Sequence, residues 1–177
     1  MQKFTKLIDT QVRKHKKLVG KSWRMDETYV KVNGTWMYLY RAVDSRGNTI
    51  DFLLRKHRNA LAAKAFFRKS FKNNGLPTKV TIDKSGSNIS ALEEANKALP
   101  ENQKIEVRQV KYLNNMVEQD HRFIKKRIRP MLGFKNFNSA RATITGIENV
   151  RMIQKKQITC ANDNFSVFEN FCTLMAS

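Results

Sequence analysis

The dipeptide Asn33-Gly34 constrains the start of the fold, because it separates two runs of residues with strand-like composition. Both central positions of a type I′ turn require a positive φ, and Asn-Gly is the strongest short signal for the hairpin that such a turn closes. The first run spans residues 22–32 and the second spans residues 35–43. Turn-forming residues 44–48 lead to a third run at residues 49–54. The sequence therefore predicts a three-stranded antiparallel meander.

The spacing of apolar residues changes after the third run. Asn59 is a candidate helix N-cap, and apolar residues then recur every three to five positions as far as Phe71. Asn74-Gly75 supplies the stop signal, and Pro77 prevents the helix from continuing. We therefore expect a helix between Asn59 and Gly75.

Short strands and helices alternate over the remainder of the chain. Strands are predicted at residues 78–82 and 104–110, and the helix between them is expected to be capped by Ser87 or Asn88. Helices are predicted at about residues 89–99, 115–129 and 138–157. Three antiparallel strands followed by βα crossovers indicate an α/β fold, with a mixed five-stranded sheet flanked by helices.

Two acidic residues occupy notable places in the predicted sheet. Asp26 lies in the middle of the first strand, where Asp is disfavoured because its short polar side chain gains little from packing on a pleated surface. Asp83 directly follows the fourth strand, and ligands of open α/β sheets collect at the C-terminal ends of strands. The simpler interpretation of Asp83 is that it starts a turn.

A third acidic residue, Glu118, lies near the start of the helix predicted from residue 115. Asn115 and Glu118 have capping-box spacing, so Glu118 could bond the cap backbone instead. One helix face combines an acid with three potential cations: Glu118, His121, Arg122 and Lys125. Another face is apolar and can pack on the sheet: Val117, Ile124 and Ile128. The charged face suits either a metal site beside a phosphate backbone or charge pairing in solvent.

The three acids could form one site. The first strand and the strand after the first crossover can be neighbours in the sheet, and 34 residues separate Asp83 from Glu118. Together with Asp26, these residues would offer the hard oxygen ligands that Mg²⁺ and Mn²⁺ prefer. Two such ions about 4 Å apart can hold the attacking and leaving oxygens of an in-line phosphoryl transfer. We therefore expect a site for two Mg²⁺ or Mn²⁺ ions.

The positive charge of the chain narrows the class of partner. Lys and Arg number 34 against 15 Asp and Glu, a formal net charge of +19. Such a charge attracts polyanions and releases the counterions condensed on DNA. A membrane-surface protein would instead concentrate its basic residues on one amphipathic helix, whereas here they are spread along the chain. The sequence shows neither a run of roughly 18 apolar residues nor a signal-peptide pattern, so a cytoplasmic nucleic-acid-binding protein without a membrane partner is expected.

Four segments together resemble the catalytic domain of the bacterial DDE transposases of the insertion-sequence-6 family. They occur in the family's order, at residues 23–44, 81–88, 114–122 and 129–135. The first contains Trp-Arg-Met-Asp-Glu-Thr-Tyr-Val around Asp26, and the second contains Thr-Ile-Asp-Lys-Ser-Gly around Asp83. The third contains Asn-Asn-Met-Val-Glu-Gln-Asp-His around Glu118. The resemblance extends over roughly residues 20–157.

This resemblance implies a ribonuclease-H-like fold and a transposase that cleaves phosphodiesters and transfers strands at the ends of an insertion sequence. It assigns catalytic and metal-binding roles to Asp26, Asp83 and Glu118, and a DNA-phosphate contact to Lys125. Further residues near these motifs are expected to contact DNA: Lys84, His121, Arg122, Lys126 and Arg129. The expected partners are the terminal inverted repeats, target DNA and further copies of the chain, in the nucleoid of a bacterial cytoplasm.

The region before the first strand departs from the family. Family members have a helix-turn-helix region there, whereas about 20 residues precede Trp23 in this sequence. The sequence thus predicts either a truncated copy or a fragment of a longer protein, with a basic leader or remnant at residues 1–20, a catalytic domain at residues 21–157 and a tail at residues 158–177. The alternative is a catalytically inactive, basic DNA-binding remnant of a transposase. Convergence of the acids distinguishes the two, because carboxylates more than about 8 Å apart could not share a metal pair.

Overall fold

The structure is a computed structural model that describes residues 2–83, 85–110 and 115–177. The side chains of five residues in these ranges are outside the description: Gln2, Lys3, Asn115, Met116 and Glu118. Among the described helices, none combines the length and the apolar character that crossing a membrane requires.

Strands and helices alternate after an initial helix and hairpin. The described strands are β1 (Ser22–Val32), β2 (Thr35–Asp44), β3 (Thr49–Arg55), β4 (Lys79–Ile82) and β5 (Glu106–Gln109). The described α-helices are α1 (Gln2–Lys14), α2 (Ala60–Asn74), α3 (Gly86–Lys97), α4 (Asn115–Ile128), α5 (Phe137–Gln154) and α6 (Val167–Ala176). Two single-turn 3₁₀ helices are also present, Glu101–Gln103 and Arg129–Met131.

The strands form one mixed sheet in the order β3-β2-β1-β4-β5. The first three strands are antiparallel neighbours, whereas β4 pairs parallel with β1, and β5 pairs parallel with β4. Asn33 and Gly34 join β1 to β2 with φ values of 47° and 75°, as the type I′ turn requires. The predicted fold class is confirmed, and β1 lies at the centre of the sheet with Asp26 in its middle.

The chain divides into two compact units. Residues 19–133 form the sheet unit, and residues 1–18 with 134–177 form the helical unit. In the helical unit, α1 packs on α5 and α6. Its buried residues include Val12, Ile144 and Leu174. The predicted functional boundaries at residues 20 and 157 stay a prediction, because compact packing is a different criterion from function.

One face of the sheet packs on α2 and α3. Asn59 caps α2 by accepting a 2.9 Å hydrogen bond from the backbone N–H of Ala62. Gly75 ends the helix with a φ of 73°, which an L side chain rarely adopts. The core on this face is aromatic and aliphatic, and it includes Trp23, Met25, Tyr40, Phe66, Phe67 and Leu92. Side chains of β1 and β2 that alternate with these residues point to the opposite face.

Helix α4 packs on β1 and β2. Val117 and Ile124 are fully buried, which confirms the predicted apolar face of this helix. His121 is also buried, although the sequence assigned it to the charged face. The reason is geometric, since His121 lies at the boundary between the two faces and turns toward β1.

The start of α3 differs from the prediction. The helix begins at Gly86, and Ser85 occupies the N-cap position without a side-chain cap bond. Asn88 is therefore a buried helical residue rather than a cap, and its amide donates a hydrogen bond to Glu27 on β1. The tail also contains a helix that the sequence did not predict, α6, which opens with a capping box formed by Ser166 and Glu169.

Candidate active site

The pairing of β1 with β4 brings Asp26 and Asp83 together. Arg24 is the parallel partner of Thr81, so the same register continued by two residues places Asp83 beside Asp26. Asp83 directly follows Ile82, the last residue of β4. The carboxylates therefore meet at the C-terminal end of a parallel strand, the position where α/β sheets bind ligands.

A third carboxylate joins them, and it belongs to Glu27. Asp26, Glu27 and Asp83 each offer one oxygen, and these oxygens all lie within 4.8 Å of one another. We call these three residues the acidic cluster. The sequence analysis did not identify Glu27 as a site residue, although the alternation of side chains along β1 could have done so. Glu27 shares the face of Trp23 and Met25, so a charged residue occupies a position where the alternation calls for an apolar one.

Glu27 is held in place by neighbours on α3 and before α2. Its side chain is only 4% exposed. Asn88 donates a 3.0 Å hydrogen bond to Oε1, and Nε of Arg58 lies 3.5 Å from the same oxygen. The buried Oε2 has no hydrogen-bond partner within the described part of the chain. Burial raises the pKa of Glu27, Arg58 and Asn88 oppose that rise, and the negative charges of Asp83 and Asp26 add to it.

Arg58 lies between two members of the acidic cluster. Besides its contact with Glu27, one terminal nitrogen lies 3.8 Å from Oδ2 of Asp83. Its side chain is 36% exposed, so it borders solvent while facing the carboxylates. Burial alone would lower the pKa of Arg58, but Glu27 and Asp83 raise it above the ordinary value. The guanidinium is therefore a fixed positive charge at the edge of the acidic cluster.

Asp26 contacts α4 on the opposite face of the sheet. Nε2 of His121 lies 3.5 Å from Oδ2 of Asp26, and the histidine side chain is 4% exposed. Burial lowers the pKa of His121, Asp26 opposes this effect, and the charge of Arg41 reinforces it. A buried ion pair lies alongside, with Arg41 of β2 3.6 Å from Asp120 of α4. These contacts fix α4 against the strand that contains Asp26.

Five of the other predicted site residues belong to α4, and Arg129 directly follows this helix. Glu118 belongs to this helix, but its side chain is outside the described residues, as is the whole of Lys84. Four of the expected DNA contacts are exposed: Arg122, Lys125, Lys126 and Arg129. His121 instead faces Asp26. The completion of the triad by Glu118 and all six DNA contacts stay predictions.

The acidic cluster opens into a small cleft of about 200 Å³. The cleft is lined by Asp26, Glu27, Thr28, Tyr29, Tyr38, Arg58 and Asp83. Pockets that enclose a drug-sized ligand have volumes of roughly 300–1,000 Å³, so this cleft is too small to enclose such a molecule. It suits a short part of an extended substrate that lies across the surface.

Comparison with known sequences identifies relatives over most of the chain. The family described as a DDE domain matches residues 20–157. The transposase for the insertion sequence-like element IS431mec of Staphylococcus aureus is 42% identical over 144 residues, which cover 81% of this chain and 62% of that protein. The same values apply to the transposase for the insertion sequence element IS257 in transposon Tn4003 of Staphylococcus aureus. The chain thus spans somewhat less than two thirds of the length of these curated relatives.

Comparison with solved structures identifies the fold. The catalytic core domain of BIV integrase matches with a TM-score of 0.55 at 15% identity, covering 89% of this chain and 97% of that one. The HTLV-2 integrase catalytic core domain in complex with magnesium matches with a TM-score of 0.52 at 17% identity, covering 66% of this chain and 74% of that one. Identities this low show a shared fold, that of the ribonuclease-H-like integrase cores.

Proposed function

Because the chain belongs to the DDE transposases of the insertion-sequence-6 family, we propose that it is a catalytic domain that cleaves and joins DNA strands with divalent metal ions. The observation that supports this proposal most directly is the convergence of Asp26 and Asp83 from two neighbouring strands, with Glu27 beside them. The matched relatives are named as transposases, and the match covers the part of the chain that contains these acids.

The residues of the site fit a divalent cation. Three carboxylates within 4.8 Å of one another supply oxygen ligands, which Mg²⁺ and Mn²⁺ prefer over nitrogen or sulfur. The buried Oε2 of Glu27 also needs a partner that the described protein does not supply. We propose Asp26, Asp83 and Glu118 as the ligands of two ions, with Glu27 as a further carboxylate beside them. When bound, such ions polarise a phosphoryl oxygen and stabilise the charge on the attacking and leaving oxygens.

The protein's own side chains orient the reaction. Asn88 and Arg58 fix Glu27, and His121 supports Asp26 from the opposite face of the sheet. An oxygen of water or of a 3′-hydroxyl attacks phosphorus in line with the bond to the departing sugar oxygen, and that bond breaks. The exposed guanidinium edge of Arg58 can contact a non-bridging phosphate oxygen, because its planar fork matches phosphate geometry.

The proposed substrates are DNA ends and a target duplex. A net charge of +19 supports binding to the phosphate backbone, with Lys125, Arg122, Lys126 and Arg129 exposed on and just after α4. We propose that the active form is a homo-oligomer that holds both terminal inverted repeats of an element, in the nucleoid of a bacterial cytoplasm. A second candidate is a catalytically inactive DNA-binding remnant, because the net charge of +19 supports DNA binding whether or not the acids catalyse a reaction.

A strand-transfer assay with labelled inverted-repeat ends tests the proposal. The chain is incubated with Mg²⁺ or Mn²⁺, with and without an N-terminal region supplied from a full-length relative. Asp26→Asn, Asp83→Asn and Glu118→Gln should each abolish strand transfer, while circular dichroism and DNA binding show an intact fold. Activity that persists in all three variants would exclude this triad. Salt-dependent DNA binding without strand transfer under any of these conditions would instead support the inactive remnant.

A further inference from the structure

The β1–β2 hairpin presents exposed aromatic side chains close to the acidic cluster. Tyr29 on β1 is 50% exposed, and Trp36 on β2 is 57% exposed. Tyr38 lies beside them and is partly buried. We call Tyr29, Trp36 and Tyr38, together with Lys31, the aromatic surface. Large aromatic side chains usually lose most of their accessible area on folding, so half-exposed Tyr and Trp side chains side by side call for an explanation.

The members of the aromatic surface form a connected platform. Tyr29 and Tyr38 are cross-strand partners with ring centroids 5.3 Å apart. The rings of Tyr29 and Trp36 meet edge to face, with centroids 6.4 Å apart. Nζ of Lys31, the cross-strand partner of Trp36, lies 5.9 Å from the centroid of the indole. A cation therefore lies over the indole ring of Trp36, which nevertheless remains 57% exposed.

The aromatic surface is continuous with the acidic cluster. Residues 27, 29 and 31 alternate along one face of β1, so Tyr29 and Lys31 follow Glu27 toward the turn. Tyr29 and Tyr38 also line the cleft that contains Asp26, Glu27 and Asp83. A polymer whose backbone crosses the cleft would therefore bring its neighbouring units onto the aromatic surface.

We propose that the aromatic surface is a binding site for an unpaired nucleobase of the DNA strand whose phosphate lies in the cleft. This inference rests on the proposed function, since it assumes that the strand crosses the acidic cluster. Exposed rings stack on any base, and Lys31 beside the indole supplies positive charge for the adjoining phosphate. The net charge of +19 favours this occupant over an apolar protein partner.

Cross-strand aromatic pairs also stabilise hairpins, typically by a fraction of the energy of a buried contact. That role explains why the rings touch one another, but it does not require half of two large side chains to remain in water. A second copy of the chain could also cover these rings, and the experiment below separates that case from nucleobase binding.

The intrinsic fluorescence of the chain reports on this surface selectively. The two tryptophans differ sharply, because Trp23 is fully buried and Trp36 is 57% exposed. Iodide should therefore quench Trp36 and leave Trp23 unaffected. In buffer that contains Mg²⁺, a single-stranded 12-nucleotide DNA should protect Trp36 from iodide, whereas a blunt duplex of the same sequence should protect it less.

Ring deletion then tests stacking directly, with a single 2-aminopurine in the same oligonucleotide as the probe. Tyr29→Ala and Trp36→Ala should each weaken single-strand binding roughly 5- to 50-fold and reduce the quenching of 2-aminopurine. Tyr29→Phe and Trp36→Phe keep a ring and should bind within about threefold of the unmodified chain. Phe168→Ala removes an exposed ring from the helical unit and is the matched control.

Salt dependence separates stacking from charge. Tyr29→Ala and Trp36→Ala should leave the slope of log K against log salt unchanged, whereas Lys31→Gln should reduce it by roughly 0.7 for a single strand. DNA binding that is equally strong in the Ala and Phe variants would overturn the nucleobase site while leaving the proposed function standing. Absence of any DNA binding would overturn both. Protection of Trp36 that rises with protein concentration in the absence of DNA would assign the surface to self-association and overturn the inference.

Discussion

Replacing Arg58 with Gln should strengthen the binding of a divalent cation by the acidic cluster. The guanidinium lies 3.5 Å from an oxygen of Glu27 and 3.8 Å from an oxygen of Asp83, so it already neutralises part of the charge that a metal ion would use. A cation that enters the cluster must either displace Arg58 or bind in the field of its positive charge. Gln removes that charge while keeping a polar side chain of intermediate length.

The expected gain follows from the distances and the exposure. A unit charge pair at about 4 Å is worth about 1 kcal/mol in water and about 4 kcal/mol at an effective dielectric constant of roughly 20. Because the Arg58 side chain is 36% exposed, solvent screening discounts the larger figure. We take about 1–2 kcal/mol as the net repulsion removed, which corresponds to a Kd for Mn²⁺ lower by a factor of roughly 5 to 30.

Calorimetric titration with Mn²⁺ at one fixed pH measures this effect. Arg46→Gln is the matched control, because it removes the same charge from an exposed turn outside the cleft. Thermal unfolding of both variants checks that the fold is intact. If the Arg58→Gln chain is folded yet binds Mn²⁺ no more tightly than Arg46→Gln, the idea that the positive charge of Arg58 opposes cation binding is refuted.

Three further predictions concern single side chains. Glu27→Gln keeps the shape of the side chain and its bond to Asn88 but removes a charge, so Mn²⁺ affinity should fall roughly 10- to 100-fold by calorimetry. Asp44→Asn should destabilise the chain by about 2–3 kcal/mol at pH 7 in thermal or urea unfolding, because the carboxylate accepts hydrogen bonds from the backbones of Gly20, Arg46 and Asn48 and from the Asn48 side chain. Lys125→Ala should lower the salt slope of duplex DNA binding by roughly one without changing Mn²⁺ affinity.

The Asp44 prediction has a defined pH dependence. Burial alone would raise the pKa of Asp44, but the hydrogen bonds from Gly20 and Asn48 outweigh it and hold the pKa below its ordinary value. A depressed pKa stabilises the fold above the unfolded pKa of about 3.9, and this contribution is lost as the pH falls through the lower folded value. The stability difference between the unmodified chain and Asp44→Asn should therefore shrink below about pH 4. A difference that stays constant from pH 7 to pH 3 would contradict this account.

Local signals predicted the hairpin and the first helix of the sheet unit. The turn at Asn33-Gly34 requires positive φ at both residues, and Asn59 caps α2 by bonding the backbone N–H of Ala62, three residues later. Both features therefore depend on a few adjacent residues, which the sequence shows directly. The predicted start of α3 was wrong because Asn is a residue type that often caps helices, whereas the Asn88 side chain donates its hydrogen bond to Glu27 on β1, 61 positions earlier. The capping propensity of Asn reflects hydrogen bonds to nearby backbone groups, whereas the bond from Asn88 to Glu27 depends on the packing of α3 against the sheet.

The site was predictable only in part for a similar reason. Asp26 and Asp83 were marked by their places in and after strands, which sequence patterns reveal. Glu27 was missed because the prediction concentrated on the adjacent Asp26. Arg58 was missed because it lies in a loop, and its contacts with Glu27 and Asp83 form only in the tertiary fold. The turn of His121 toward Asp26 also follows from packing, because its helical position is compatible with either face.

The helical unit combines two segments that are far apart in the sequence, and this affects how the unit folds during synthesis. Helix α1 is synthesised before its packing partner α5, which begins at Phe137, more than a hundred residues later. The strand-like bridge between Lys16 and Ile158 joins the same distant segments. At 5–20 residues per second, a ribosome needs roughly 6–25 s to deliver α5 after α1 has formed. During that interval the sheet unit can complete its own core, while the buried face of α1 around Val12 is available to chaperones that recognise nascent apolar segments.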